Sequence, residues 1–238
     1  TNTGVSVDAN GVLSGSKFMV PDAAQATWIA VVGSDAAGDA VVALVAGSDV
    51  AAQAQASHAL IDLTKRASTI DFTGVKAQRV LSGDKVASAI RDYLLIGALL
   101  TAAEAVGSTS ACLAGIVDYL KTRKQFGKLI GSFQALKHPT VDIYVGMEHS
   151  RSLVYHASSE IDDGPLSTEA EVACRMAKAK ASDPIQYAGD RSVQFHGGFG
   201  FTWECDSSLF IRRAAWSQQQ FGDAMHHRKR LAPLLLDS

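Results

Sequence analysis

The sequence predicts an α+β protein, with a small antiparallel β sandwich or barrel over residues 1–82 followed by a C-terminal bundle of the four-helix type over 83–238. Two observations predict this. Short apolar or alternating runs, broken by turn residues, fill the chain to about Leu81, and from about Gly83 the hydrophobic period lengthens to that of helices. The chain has 238 residues, long enough to bury roughly 70–75% of its unfolded surface in one or two cores.

The strand signals are the runs Val12–Val20, Trp28–Val32, Val41–Val45 and Thr69–Phe72. Between them lie Asn10-Gly11, Pro21-Asp22, Gly33-Ser34-Asp35 and Gly38-Asp39, whose residues tolerate or favour turn conformations. Asp84 to Thr122 contains no proline and is rich in Ala and Leu. Between Tyr93 and Val106 it is apolar on most faces, as expected of a helix buried in a bundle. A loop is expected at 126–131, then a helix that Ser132 could cap, running to about Glu160 with a kink or restart at Pro139. Thr168 with Glu171 reads as a capping box opening a third helix to about Phe195, bent at Pro184. Segments near 207–220 and 224–235 complete the bundle.

Twenty-two basic against 24 acidic residues leave no basic footprint for nucleic acid. Cys112, Cys174 and Cys205 are odd in number, far apart and without ligand spacing. They point to a reducing, cytoplasmic setting and to no metal site. The apolar run Tyr93–Val106 is only 14 residues long and includes Glu104, so no membrane span is expected, and nothing reads as a signal peptide. No Met opens the chain and Thr1 stands close to a strand pattern, so the polypeptide is expected to begin earlier.

Two motifs carry the chemistry. The first, Val193-Gln194-Phe195-His196-Gly197-Gly198-Phe199-Gly200-Phe201-Thr202-Trp203-Glu204, is dense in glycine, which lets a backbone turn sharply or approach a ligand; alone it also fits a helix C-terminus followed by a tight turn. The second begins at Arg123-Lys124-Gln125-Phe126-Gly127 and runs through Phe133-Gln134, in the form R-x-x-F-G-x-x-I-x-x-F-Q. A guanidinium beside a glycine-containing loop suits bidentate pairing with a pyrophosphate, and equally suits a solvated charge at a helix C-terminus.

Together, in this order and at this separation, the two motifs resemble the C-terminal half of acyl-CoA dehydrogenases, from about Val5 onward. The resemblance implies a middle β domain and a C-terminal four-helix bundle that also forms the tetramer core. The family's first helical domain and its T-E-P-x-x-G-S-D segment have no counterpart here. The chain is therefore expected to be a fragment, or a short bacterial member that borrows missing parts from a partner. By resemblance, Arg123 and Phe126 would meet FAD bound by a neighbouring subunit, Phe133 and Gln134 its adenine end, and Gln194, Gly197 and Gly198 its pyrophosphate and ribose. FAD would then span a subunit interface in a homo- or hetero-oligomer, such as a dimer of dimers, acting on an acyl-CoA and passing electrons to a flavoprotein acceptor.

The family reaction removes an α proton with a carboxylate base while a hydride leaves from the β carbon. Counted from Arg213, the commonest position of that Glu falls on Gly222; the alternative on the first bundle helix falls on Gly97. Asp223, one residue on, could move in or could cap the last helix. Asp92 and Glu104 read as structural. In the β domain, Met19-Val20-Pro21-Asp22 stands where the family has W-I-T-N. His226-His227 beside Arg228-Lys229-Arg230 reads as a solvated face, His196 as a hydrogen-bonded spacer, and Glu204 is expected to pair with Arg212 or Arg213. These departures imply either an acyl-CoA dehydrogenase making 2,3-enoyl-CoA, or a catalytically degenerate FAD-binding subunit of a heteromeric enzyme, a type that acts on sterol-derived acyl groups. A flavin-free helical scaffold is the remaining reading.

Overall fold

The computed structural model describes residues 4–50 and 55–236; Thr1 lies outside them. The chain divides into two compact units, Thr1–Asp92 and Tyr93–Ser238, which part within the first long helix.

The first unit is built on strands β1 (Val5–Val7), β2 (Leu13–Pro21), β3 (Trp28–Ser34), β4 (Ala40–Ala46), β5 (Gln55–Ser57), β6 (Ala67–Asp71) and β7 (Arg79–Leu81). They form a seven-stranded sheet in the order β5-β6-β2-β1-β3-β4-β7. Alternation decides which side chains enter the core. Val41, Ala43 and Val45 of β4 are buried with Ile29 and Val31 of β3, and they join Val5, Leu13, Ile70 and Phe72 in one cluster. Asp35 closes the β3–β4 turn, its Oδ1 accepting from the backbone of Ala37 and Asp39 at 2.9 Å each. One pair departs from the antiparallel expectation: β1 and β3 run parallel at Ser6 and Ser34. The reason is topological. β2 occupies one edge of β1, so β3 takes the other, and the short connection from Pro21 to Trp28 makes β3 run opposite to β2 and hence with β1. Within β2 the register shifts between Lys17 and Val20, where Met19 takes a left-handed φ of 57°.

The second unit contains α1 (Asp84–Thr122) from Tyr93 onward, α2 (Gln134–Ser159), α3 (Thr168–His196), α4 (Ser207–Gln219) and α5 (Ala224–Leu236). A short hairpin, β8 (Lys124–Gln125) and β9 (Lys128–Leu129), stands where a loop was expected. α3 is central and packs on α2, α4 and α5. Its core face is made of small residues, Ala173, Cys174, Ala177 and Ala181 with Ile185, which lets neighbouring helices approach closely. Leu95, Leu99, Ala102 and Val106 of α1, Met147 and Val154 of α2, and Ala214 of α4 complete that cluster.

Several local expectations change. α1 is long and apolar enough to cross a membrane by composition, yet one face is bundle core, while Tyr93 and Leu100 are 62% and 64% exposed. The chain therefore does not bury the apolar run on most faces. Ser132 does not cap α2; its hydroxyl donates to the Leu129 carbonyl at 2.7 Å, and Phe133 holds the cap position. The cap of α3 is Ser167 rather than Thr168, its Oγ accepting from the Ala170 amide at 3.1 Å. Glu171 instead pairs along the helix with Arg175. Both α2 and α3 continue through their prolines. Replacing Ser167 by Ala is expected to cost about 1 kcal/mol of unfolding free energy by denaturant titration, whereas Thr168→Ala should change it little.

Candidate functional site

α1 ends at Thr122, and the hairpin that follows is turned by Phe126 and Gly127, with φ of 54° and 76°. Backbone bonds pin its base, Arg123 N–H to Tyr119 O and Ile130 N–H to Arg123 O, both at 2.9 Å. α3 ends alongside. Gly197 takes φ 61° and ψ −140°, and its N–H donates back to Gln194 O, so the chain turns sharply into a 3-10 turn over Gly197–Phe201. Between these two helix ends lies a cleft of about 800 Å³, within the usual range for ligand sites.

Arg123, Phe126, Phe133, Gln194, Gly197 and Gly198 all line this cleft, so six of the seven residues singled out from sequence converge. Gln134 does not. It begins α2, is exposed and is not among the lining residues. Tyr119 and His196 join the wall although the motifs did not single them out as ligand contacts. A Cβ at Gly198 would meet nothing within 4 Å among the described residues, and its φ is not positive, so the backbone there is open to the cleft. Phe126 is 86% exposed and meets Phe133 edge-on with ring centroids 6.2 Å apart. An arginine, an amide, turn glycines and exposed aromatic rings form a donor set suited to a phosphate-bearing, ring-containing ligand.

At the far end of the bundle, Gly97 and Gly222 belong to one contact. The loop after α4 carries Phe221 and Gly222 at φ 54° and 95° and drives the Phe221 ring against α1. A Cβ built on Gly97 would overlap ring carbons Cε1, Cδ1 and Cζ of Phe221. Tyr93 meets the same ring edge-on at 5.9 Å. At Gly222 a Cβ would lie 2.6 Å from His226 Cδ2. Neither position has space for a larger side chain in this arrangement.

The family model for the acyl-CoA dehydrogenase C-terminal domain matches residues 87–233. The chain belongs to the acyl-CoA dehydrogenase family. It is 39% identical over 134 residues to acyl-CoA dehydrogenase IpdE2 of Mycolicibacterium smegmatis, a match spanning 56% of this chain and 40% of that relative. Its fold is that of a glutaryl-coenzyme A dehydrogenase solved with glutaryl-CoA, at TM-score 0.89 and 23% identity over 98% of this chain and 62% of the other. It is also that of the ChsE4-ChsE5 complex from Mycobacterium tuberculosis, at TM-score 0.85 and 24% identity over 99% of this chain and 63% of the other. The chain thus spans 40% of the curated relative and 62–63% of the two solved chains.

In this acyl-CoA dehydrogenase family chain the loop bearing Gly222 is held from beneath by two buried groups that sequence reasoning missed or misplaced. Lys178 lies in the small-residue register of α3, four residues after Cys174, and is 1% exposed. Its ammonium donates to the Ser217 and Gln218 carbonyls at 3.1 and 3.3 Å and to Ser182 Oγ at 3.3 Å, closing the C-terminal end of α4. Burial pushes the ammonium down to about 8, with the Asp223 charge opposing. A lone Lys in an alanine-lined helical face was the sequence signal for it.

His227 corrects the expectation of a solvated face. It is 2% exposed, and its Nε2 bonds the Phe221 carbonyl at 3.0 Å. Since a carbonyl only accepts, Nε2 carries the proton, leaving Nδ1 as a buried acceptor with no partner among the described residues. Burial, and then the Lys178 charge, push this imidazole down to about 4. The remaining carboxylates have other work. Asp223 Oδ1 accepts from the His226 amide at 2.7 Å, at the start of α5. Glu104 meets Arg213 at 2.6 Å, and Asp92 meets Arg91 at 2.7 Å. Arg212 lies 4.8 Å over the Trp203 ring and Arg213 meets Glu104, so both arginines expected beside Glu204 are engaged elsewhere.

Gly97→Ala is expected to destabilise by about 1–3 kcal/mol despite the better helix propensity of Ala, because the Phe221 ring must move. The double variant with Phe221→Ala should show a coupling energy that restores part of that loss, read by denaturant titration. His227 is neutral when folded, so the folded state binds fewer protons than the unfolded state between pH 4 and 6.5. Stability should therefore fall as pH drops from 6.5 to 4, by up to about 3 kcal/mol from this group. His227→Gln should flatten the slope in that window.

Proposed function

We propose that this chain supplies part of the FAD site of an acyl-CoA dehydrogenase that oxidises an acyl-CoA thioester to the 2,3-enoyl-CoA. The observation that carries this reading is the convergence of Arg123 with Gln194, Gly197 and Gly198 in one cleft. The residues fit the cofactor: Arg123 would pair with its pyrophosphate, the Gln194 side chain and the glycine turn at Gly197–Gly198 would let its phosphate and ribose approach closely, and Phe126 and Phe133 would cover its adenine end. Gln134 is exposed at the start of α2 and lies outside the cleft lining, so it carries no part of this reading. When bound, FAD would supply the acceptor for the hydride.

Packing at Gly97 and Gly222 favours the degenerate-subunit form of this function. Both positions lack a carboxylate and both are filled, by Phe221 and by His226 respectively. Asp223 is engaged as an amide acceptor. The base is therefore proposed to come from a second, homologous chain, in a hetero-oligomer arranged as a dimer of dimers with FAD across the subunit interface. The solved complex of ChsE4 with ChsE5 supports a two-chain arrangement for this fold. The three cysteines are free and buried, which supports a cytoplasmic setting. Electrons would pass to an electron-accepting flavoprotein.

The isolated assembly is expected to be yellow with a flavin absorbance band, and Arg123→Ala should weaken FAD binding roughly 10- to 100-fold. With an artificial electron acceptor, turnover should require the co-expressed partner. Turnover by this chain alone, abolished by Asp223→Asn with FAD retained, would instead make the chain a self-sufficient enzyme. A colourless preparation that takes up no added FAD would remove the flavin reading altogether.

A further inference from the structure

His196 ends α3 inside the glycine motif, where sequence alone treats it as a spacer. Its surroundings are more specific. Nδ1 lies 2.8 Å from the Ser192 carbonyl and 3.0 Å from Ser207 Oγ. A carbonyl oxygen only accepts, so a bare Nδ1 lone pair facing it would be repelled; Nδ1 carries the proton. The second neighbour is itself fixed. Ser207 is 3% exposed, bonds Ser192 Oγ at 2.8 Å, and receives the Cys205 thiol at 3.2 Å. Ser192 is likewise buried, and Cys112 beneath it donates to Ala188 O at 3.4 Å. The imidazole plane is set from the other side by Tyr119, whose ring stacks on it at 4.1 Å and 29°.

A ring held by two buried partners on one edge and an aromatic plane on its face has one tautomer and one orientation. With Nδ1–H turned into the protein, neutral His196 keeps a free lone pair on Nε2. That nitrogen has no partner among the described residues, and the ring lines the cleft between Gln194 and Gly197. Arg123 offers a ligand only donors, and Nε2 adds an acceptor to a wall that also carries the Gln194 amide. The donors FAD presents are its ribose and ribityl hydroxyls, the adenine amine and the flavin N3–H, and of these the hydroxyls stand next to the phosphates that Arg123 would pair with.

We propose that His196 is a ligand-contact residue whose Nε2 accepts a hydrogen bond from a sugar hydroxyl of the bound dinucleotide, with Ser207 and Tyr119 as its positioning residues. The inference rests on the cleft being the FAD site. It assigns to that site a hydroxyl reader beside the phosphate-binding groups. The Ser192–Ser207–Cys205 network then has a function beyond satisfying its own buried atoms.

The test measures FAD affinity of the apo assembly, prepared as the wild-type protein is isolated, by flavin fluorescence and calorimetry. His196→Phe keeps an aromatic face for Tyr119 and removes both ring nitrogens; FAD affinity should fall roughly three- to tenfold, while the melting temperature should drop through the lost Nδ1–H bond by about as much as in His196→Gln. His196→Gln, whose amide oxygen can reach the Nε2 position, should stay within about twofold of wild type. If the Phe variant does not fold, His196→Leu against His196→Gln gives the same comparison. Equal FAD affinity in the Phe or Leu variant and wild type overturns the assignment while leaving the flavin reading standing. Failure of the wild-type assembly to bind FAD overturns the flavin reading, and this assignment with it.

Discussion

Close approach to α3 is the constraint on which the second unit depends. Its buried face is so reduced in side-chain volume that α2, α4 and α5 all rest against it, and the larger side chains of α1 fill what remains. A second cluster, with Cys112, Ile116 and Leu120 of α1 against Ala188 and Phe195 of α3, keeps the C-terminal halves of these two helices together. Their ends therefore stop at the same place. The cleft is a consequence of that packing, because Arg123 follows one helix and Gln194 closes the other.

The opposite side of α3 is organised by burial of charge. An ammonium placed among alanines would be costly without partners, and Lys178 finds them in the last carbonyls of α4. His227 does the same for the Phe221 carbonyl one step further along. These bonds hold a loop whose two consecutive left-handed residues could not otherwise persist cheaply, and the loop in turn places an aromatic ring where α1 has only glycine. A larger side chain at Gly97 would therefore have to displace the Phe221 ring, and one at Gly222 the His226 ring.

Much of this was legible in the chain. Strand and helix periods were clear because each element buries one face, and the two motifs were recognisable because their order and separation match those of the acyl-CoA dehydrogenase family. Less legible were features set by a neighbour far away in sequence. The pairing of Arg213 with Glu104 spans 109 residues, and nothing in the local pattern around Glu204 excluded it as the partner. The cap falls on Ser167 rather than Thr168, and a shift of one residue leaves the local composition almost unchanged, so the sequence did not separate the two.

What the sequence by itself determined is the class of elements, their order, the family, and the identities of the groups available to a ligand. Periodicity and residue chemistry are local properties, and they survive without knowledge of contacts. Only the tertiary structure decided which of those groups meet: six of the seven residues expected at the cofactor lie on one cleft, Gln134 does not, His227 is interior, and His196 has its proton on the inner nitrogen. Burial, tautomer and occlusion depend on what stands opposite each atom, which is set by how helices cross and not by the order of residues within them.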